Sequence, residues 1–194
     1  IPVFSIRTDE DFGAGDFLSI KKMVDWLAAT GQRVLQILPI NDTTMTHTWV
    51  DSYPYKANST YALHPMYLNI PALGKLKDNQ RQEYFNNLAV ELNALPQVDY
   101  ERVNAGKLEY VREIFAESGA KILKTENFKS FFAKNEYWLK NYAAFCLLRD
   151  KFGTADFTKW GKYSKFDESL VDELCKDNAD EINLTYYIQY NLDK

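Results

Sequence analysis

Cysteine is scarce: the chain has two in 194 residues, Cys146 and Cys175. Both fall in stretches of helical pattern, which excludes a disulfide scaffold and predicts reduced thiols in a cytoplasmic protein. Long apolar runs are missing; none approaches the roughly 18 residues of a membrane span, so no membrane partner is expected. Basic charge is also in short supply. With 23 Lys and Arg against 27 Asp and Glu, the formal charge is −4, without the basic footprint of a nucleic-acid binder. Initiator Met and signal peptide are both lacking. The last apolar helical pattern, Tyr186, Tyr187, Ile188, Tyr190 and Leu192, reaches Lys194 with no Gly or Asn stop. Together these ends predict a piece of a longer protein.

Several chemical signatures are absent as well. Gly13-Ala14-Gly15 has no third Gly and no following Lys-Ser/Thr, so it is no phosphate loop. No G-x-S-x-G nucleophile elbow occurs. His47 and His64 are 17 residues apart with no nearby Cys; they match no zinc pattern and are expected to be structural. Cys146, between Phe145 and Leu147, reads as core rather than nucleophile. The carboxylates from Asp167 to Glu181 read as solvated helix faces. No metal or cofactor is expected.

Aromatic residues, by contrast, are abundant at 15% of the chain, either as core or as a surface for stacking sugars. Pro2–Ile6 reads as a short strand that tolerates Pro at its start. Asp16 is a candidate N-cap for a helix carrying Phe17, Ile20, Val24, Leu27 and Ala28, ended at Gly31. Val34–Ile40 is apolar on both faces, as in a strand buried within a parallel sheet. Strand, helix and strand predict an opening βαβ unit.

Residues 41–74 show no sustained period but hold Trp49, Tyr53, Tyr55, Tyr61 and Tyr67. So long a connection in an aromatic-rich segment predicts an ordered, functional loop. From Lys75 onward six helices are predicted. They end near Pro96, end at Gly119, cover Phe128–Phe132, run from an Asn135 cap to a Gly153 stop, follow a capping-box-like Ser164–Asp167, and span Ala179–Leu192. The Trp138 and Tyr142 rings of the fourth helix count there as core.

Ligands of parallel α/β folds bind beyond the carboxyl ends of the strands. Asn41, Asp42, Thr43 and Thr44 occupy that place after Ile40. They could hold a hydroxyl-rich ligand or simply form a turn, since Asn, Asp and Thr do both. Asp51-Ser52-Tyr53-Pro54-Tyr55 is more specific. A carboxylate and a hydroxyl beside a Pro-stiffened tyrosine pair offer hydrogen bonds and a flat apolar face, the two things a sugar ring needs. A packed tyrosine corner is the alternative.

Longer motifs carry a family resemblance. Phe4-Ser5-Ile6-Arg7, Phe12-Gly13-Ala14-Gly15-Asp16-Phe17, Gln36–Thr43, Asp51–Tyr55, Ala62–Leu68, Asn135–Lys140, Tyr142–Asp150 and Tyr186–Tyr190 occur in order along essentially the whole chain. Together they resemble 4-α-glucanotransferases of the amylomaltase and disproportionating-enzyme family, glycoside hydrolase family 77, most of all its long branch. The resemblance implies a (β/α)8 barrel and retaining double displacement on maltose, maltooligosaccharides and glycogen-like acceptors. It also implies N-terminal starch-binding modules in that branch.

Short members of the family carry D-S-P-Y, whose tyrosine packs against the sugar next to the cleavage point. Tyr55 is the matching position, with Asp51 and Ser52 beside it, and this sequence inserts Tyr53. The resemblance gives Asp42 and Asp51 positioning roles at most. The family's nucleophile, acid/base and stabilising carboxylates lie on later strands, beyond Lys194, so no catalytic residue is expected here.

The resulting expectation is an α/β, mainly helical fragment. Residues 1–74 start a (β/α)8 barrel with substrate loop 41–74, and 75–194 form a helical subdomain that meets the rest of the same catalytic domain. Expected substrate-binding residues are Tyr55, Asp51, Ser52, Asn41 and Asp42. The fragment alone is expected to be inactive. A non-catalytic carbohydrate-binding or helical interaction module descended from the family is the alternative.

Overall fold

The computed structural model describes residues 1–194. Six α-helices carry the fold: α1 (Phe17–Ala29), α2 (Asn79–Ala94), α3 (Tyr100–Ile122), α4 (Glu126–Phe152), α5 (Glu168–Asp177) and α6 (Ala179–Asp193). No helix is long and apolar enough to cross a membrane.

The opening βαβ unit is not formed. Val3–Ser5 is a 3-10 turn, and residues 34–40 are extended without being a strand. The run makes only scattered backbone bonds: the Ile1 ammonium to Gln36 O and Leu38 N–H to Ile1 O beside it, and His64 N–H to Ile40 O at its end, with one antiparallel bridge just beyond, Asn41 with Leu63. A parallel strand needs a neighbour on each side to saturate its amides and a cover on each face. Neither is supplied here. None of residues 34–40 is buried, and Val34, Val24 and Trp26 stand in solvent.

Local signals at α1 act as the sequence predicts. Asp16 Oδ1 accepts from Leu18 N–H and Ser19 N–H, and Ser19 Oγ accepts from Asp16 N–H, closing a capping box. Gly15 is required by close approach, since a Cβ there would sit 2.3 Å from the Ile6 carbonyl oxygen.

Two helix boundaries depart from expectation. Gly119 does not stop α3; it lies against the Phe115 ring, where a Cβ would approach to 2.1 Å, so its smallness serves packing. The expected third and fourth helices are one continuous α4. Asn135 does not cap there, because its Nδ2 donates to Phe131 O and its Oδ1 accepts from Trp138 Nε1 within the helix. At α5 the cap is Asp167, which accepts from Leu170 N–H.

The largest apolar cluster joins the N-terminal segment (Val3, Phe12), the loop (Met66, Tyr67, Ile70), α2 (Phe85, Leu92), α3 (Val103, Val111) and α6 (Leu184, Ile188). A second joins α4 to α6 through Phe131, Leu139, Cys146, Ile182 and Tyr186. Arg7 ties the N-terminal segment to the end of α2 by donating to the Leu95 and Asn93 carbonyls at 2.9 and 2.7 Å. These contacts hold loop 41–74 against α3, α4 and α6.

Candidate functional site

Loop 41–58 folds around two carboxylates that point inward. Asp42 is fully buried. Its Oδ1 accepts from Thr44 N–H at 3.0 Å and from the Thr44 hydroxyl at 2.6 Å. Its Oδ2 accepts from Asn58 Nδ2 at 3.1 Å and from the Tyr142 hydroxyl at 2.8 Å. Burial together with the Asp42 charge holds the Tyr142 phenol well above its ordinary value, so it remains a donor.

Asp51 is 5% exposed. Its Oδ2 accepts three successive amides, Met45, Thr46 and His47, at 3.1, 2.8 and 2.8 Å. Its Oδ1 accepts from the Thr46 hydroxyl, and its carbonyl accepts from Thr43 Oγ1. Amides aimed at one carboxylate form a small anion nest. Both side chains expected to bind substrate therefore have their acceptor positions filled by the protein. The reason is physical: a buried carboxylate must be saturated, and the nearest donors are the loop's own.

The other expected residues face differently. Asn41 is half-buried and donates weakly to Ala62 O. Ser52 is half-buried at the end of a short 3-10 turn, Trp49–Ser52. Tyr53 and Tyr55 are 60% and 63% exposed. Their ring centroids lie 5.7 Å apart at 51°, so the pair has open faces and no core to fill.

His47, expected only to be structural, and two residues not singled out from sequence, Arg149 and Asp150, complete the site. His47 Nε2 bonds Asp150 Oδ1 at 2.8 Å, and Arg149 bonds both Asp150 oxygens while donating to Thr44 O at 2.8 Å. Burial pushes the Asp150 carboxyl up, and the bonds from His47 and Arg149 outweigh it, leaving the group below the usual carboxylate range. His47 sits at φ 59°, the chain's single non-glycine with positive φ, a conformation that the Asp51 nest and Asp150 hold in place. Sequence spacing gives no sign of this latch, since 103 residues separate its ends.

His64 is elsewhere. Its Nε2 meets the Tyr100 hydroxyl at 2.8 Å, and burial lowers its pKa. Below the loop, a cavity of about 590 Å³ opens between Asp42, Thr44 and His47 and helices α3, α4 and α6, with Arg112, Tyr142 and Gln189 in its wall. Its size is that of a small-ligand pocket.

Comparison with known proteins identifies the family of the chain. The family model described as 4-alpha-glucanotransferase matches residues 1–194. The chain is 43% identical over 195 residues to the 4-alpha-glucanotransferase DPE2 of Oryza sativa subsp. japonica, covering 99% of this chain and 20% of that protein. It is 32% identical over 191 residues to a 4-alpha-glucanotransferase of Chlamydia muridarum, covering 98% and 35%. A Chlamydia caviae 4-alpha-glucanotransferase is 34% identical over 196 residues. The chain thus spans about a fifth to a third of the length of these relatives. With its whole length matched, the chain belongs to the 4-alpha-glucanotransferase family, glycoside hydrolase 77.

Proposed function

We propose that the protein is part of a 4-α-glucanotransferase that moves glucosyl or glucan units from maltose or other α-1,4-glucans to acceptor glycans. Residues 1–74 are the opening of a (β/α)8 barrel with its substrate loop, and residues 75–194 are a helical subdomain of the same catalytic domain. The open face of α1 and the incompletely covered run 34–40 support this, because both leave apolar surface that a larger parallel sheet would cover.

One observation carries the site. Tyr53 and Tyr55 present exposed rings on a loop whose carboxylates are consumed internally. In this reading Asp42 and Asp51 shape the loop, while the sugar meets the tyrosine faces and the Ser52 hydroxyl. The rings offer C–H stacking surface, and a stiff, prearranged loop reduces the ordering cost of binding.

The transfer itself is retaining double displacement. A carboxylate attacks the anomeric carbon and expels the leaving sugar with the help of a second carboxyl acting as acid. That second group then deprotonates the acceptor hydroxyl, which displaces the enzyme. Both carboxyls belong to later strands of the catalytic domain, so the 194-residue piece alone is inactive. The test is incubation of full-length protein with maltose and glycogen: release of free glucose with elongation of glycogen is expected. Maltose left intact would overturn the function.

A further inference from the structure

A second aromatic group stands apart from the Tyr53–Tyr55 pair. Tyr61, in the loop, lies over Trp138 of α4 with ring centroids 5.8 Å apart and planes 16° from parallel. Tyr137 meets Tyr61 edge-on at 5.5 Å and 83°. Tyr61 is 54% exposed and Tyr137 65%, so neither ring is spent on the core.

The support beneath is rigid. Trp138 Nε1 donates to Asn135 Oδ1 at 2.9 Å, and the Trp138 ring leans on Tyr142 at 6.2 Å. Tyr142 in turn is bonded to Asp42. One face of Tyr61 is thus backed by an immobilised indole while the ring remains largely in water. Tyr137 adds a second ring at right angles. A flat ring fixed from behind, with a perpendicular ring beside it, suits the apolar C–H face and rim of a pyranose. Its prior immobilisation lowers the entropic cost of contact.

Building on the glucanotransferase reading, we infer that Tyr61, Tyr137 and the supporting Trp138 form an additional holding surface for α-1,4-glucan chains, separate from the Tyr53–Tyr55 contact. It engages polymeric acceptors long enough to leave the reacting centre. Tyr61 and Tyr137 touch the glucan, and Trp138 is a positioning residue. Maltose, held at the reacting centre alone, does not use it.

The experiment uses full-length protein carrying Tyr61→Ala with Tyr137→Ala, and Tyr61→Phe as the conservative control. Mobility in glycogen-containing native gels reads binding without turnover, and KM for glycogen and for maltose reads use. The double variant should migrate faster in glycogen gels and raise KM for glycogen about five- to ten-fold, with KM for maltose unchanged and Tyr61→Phe like wild type. Unchanged mobility and KM for glycogen in the double variant would overturn the surface. So would a parallel loss on maltose, which would place these rings in the reacting centre. Protein that retains glycogen mobility shifts yet never turns over maltose would instead overturn the function while the gel decides the surface.

Discussion

Tyr142, on α4, donates its phenolic hydrogen to Oδ2 of Asp42 at 2.8 Å, joining residues 100 positions apart. The bond fixes the root of loop 41–74 to the helical layer. Tyr142→Phe removes one of four donors to a buried carboxylate and should cost about 1–3 kcal/mol of stability. Denaturant unfolding measures it; a midpoint equal to wild type would show that the bond contributes nothing.

The Asp51 nest governs the loop's shape rather than its overall stability. Asp51→Ala orphans the amides of Met45, Thr46 and His47 and releases His47 from its positive φ. Limited proteolysis should then cut within residues 45–50 faster than in wild type, while the helical circular dichroism is kept. Equal cleavage rates would contradict the nest's role.

Lys107 provides a pH signature. It is buried on α3, where its ammonium donates to the Met66 and Leu68 carbonyls at 2.6 and 2.9 Å with no carboxylate in contact. Burial lowers its pKa from 10.5 to about 8. A lowered cation pKa means that the folded state disfavours the charge, so the penalty is complete below pH 8 and is relieved as pH rises towards 10.5. Relative to Lys107→Met, wild type should gain about 3 kcal/mol of unfolding free energy between pH 7 and 11. A difference that stays flat across that window would show that burial does not shift this group.

Much of the helical layer could be read directly from sequence, because local chemistry dictates it. Asp16 caps α1, Thr125 caps α4 through Phe128 N–H, and Gly153 ends α4 in the left-handed region at φ 64°. The failures occur where side-chain contacts, within a helical turn or across the fold, override the residue's usual signal. Gly119 resembles a stop, yet the Phe115 ring makes it a contact residue. Asn135 resembles a cap, but its amide is satisfied inside the helix. Val34–Ile40 has strand composition, but strands are defined by their neighbours, and the run has one bridge at its end.

The candidate site divides in the same way. The aromatic pair at Tyr53 and Tyr55 is visible in the motif itself. The inward turn of Asp42 and Asp51 is not, because it depends on Tyr142 and on backbone amides that sequence cannot orient. Nor does sequence reveal the His47–Asp150–Arg149 latch or the Tyr61–Trp138 stack, each of which spans many tens of residues.

The central claim is that the loop exists to present tyrosine faces to glucan. Its most direct test compares Tyr55→Ala and Tyr53→Ala in full-length protein by kcat/KM for maltose, with thermal midpoints recorded alongside. Tyr55→Ala should lower kcat/KM about 10- to 100-fold, equivalent to ~1.4–2.8 kcal/mol of transition-state stabilisation, with the midpoint nearly unchanged and a smaller effect from Tyr53→Ala. A Tyr55→Ala protein that unfolds, or one that turns over maltose as wild type does while Tyr53→Ala is inactive, would contradict the assignment.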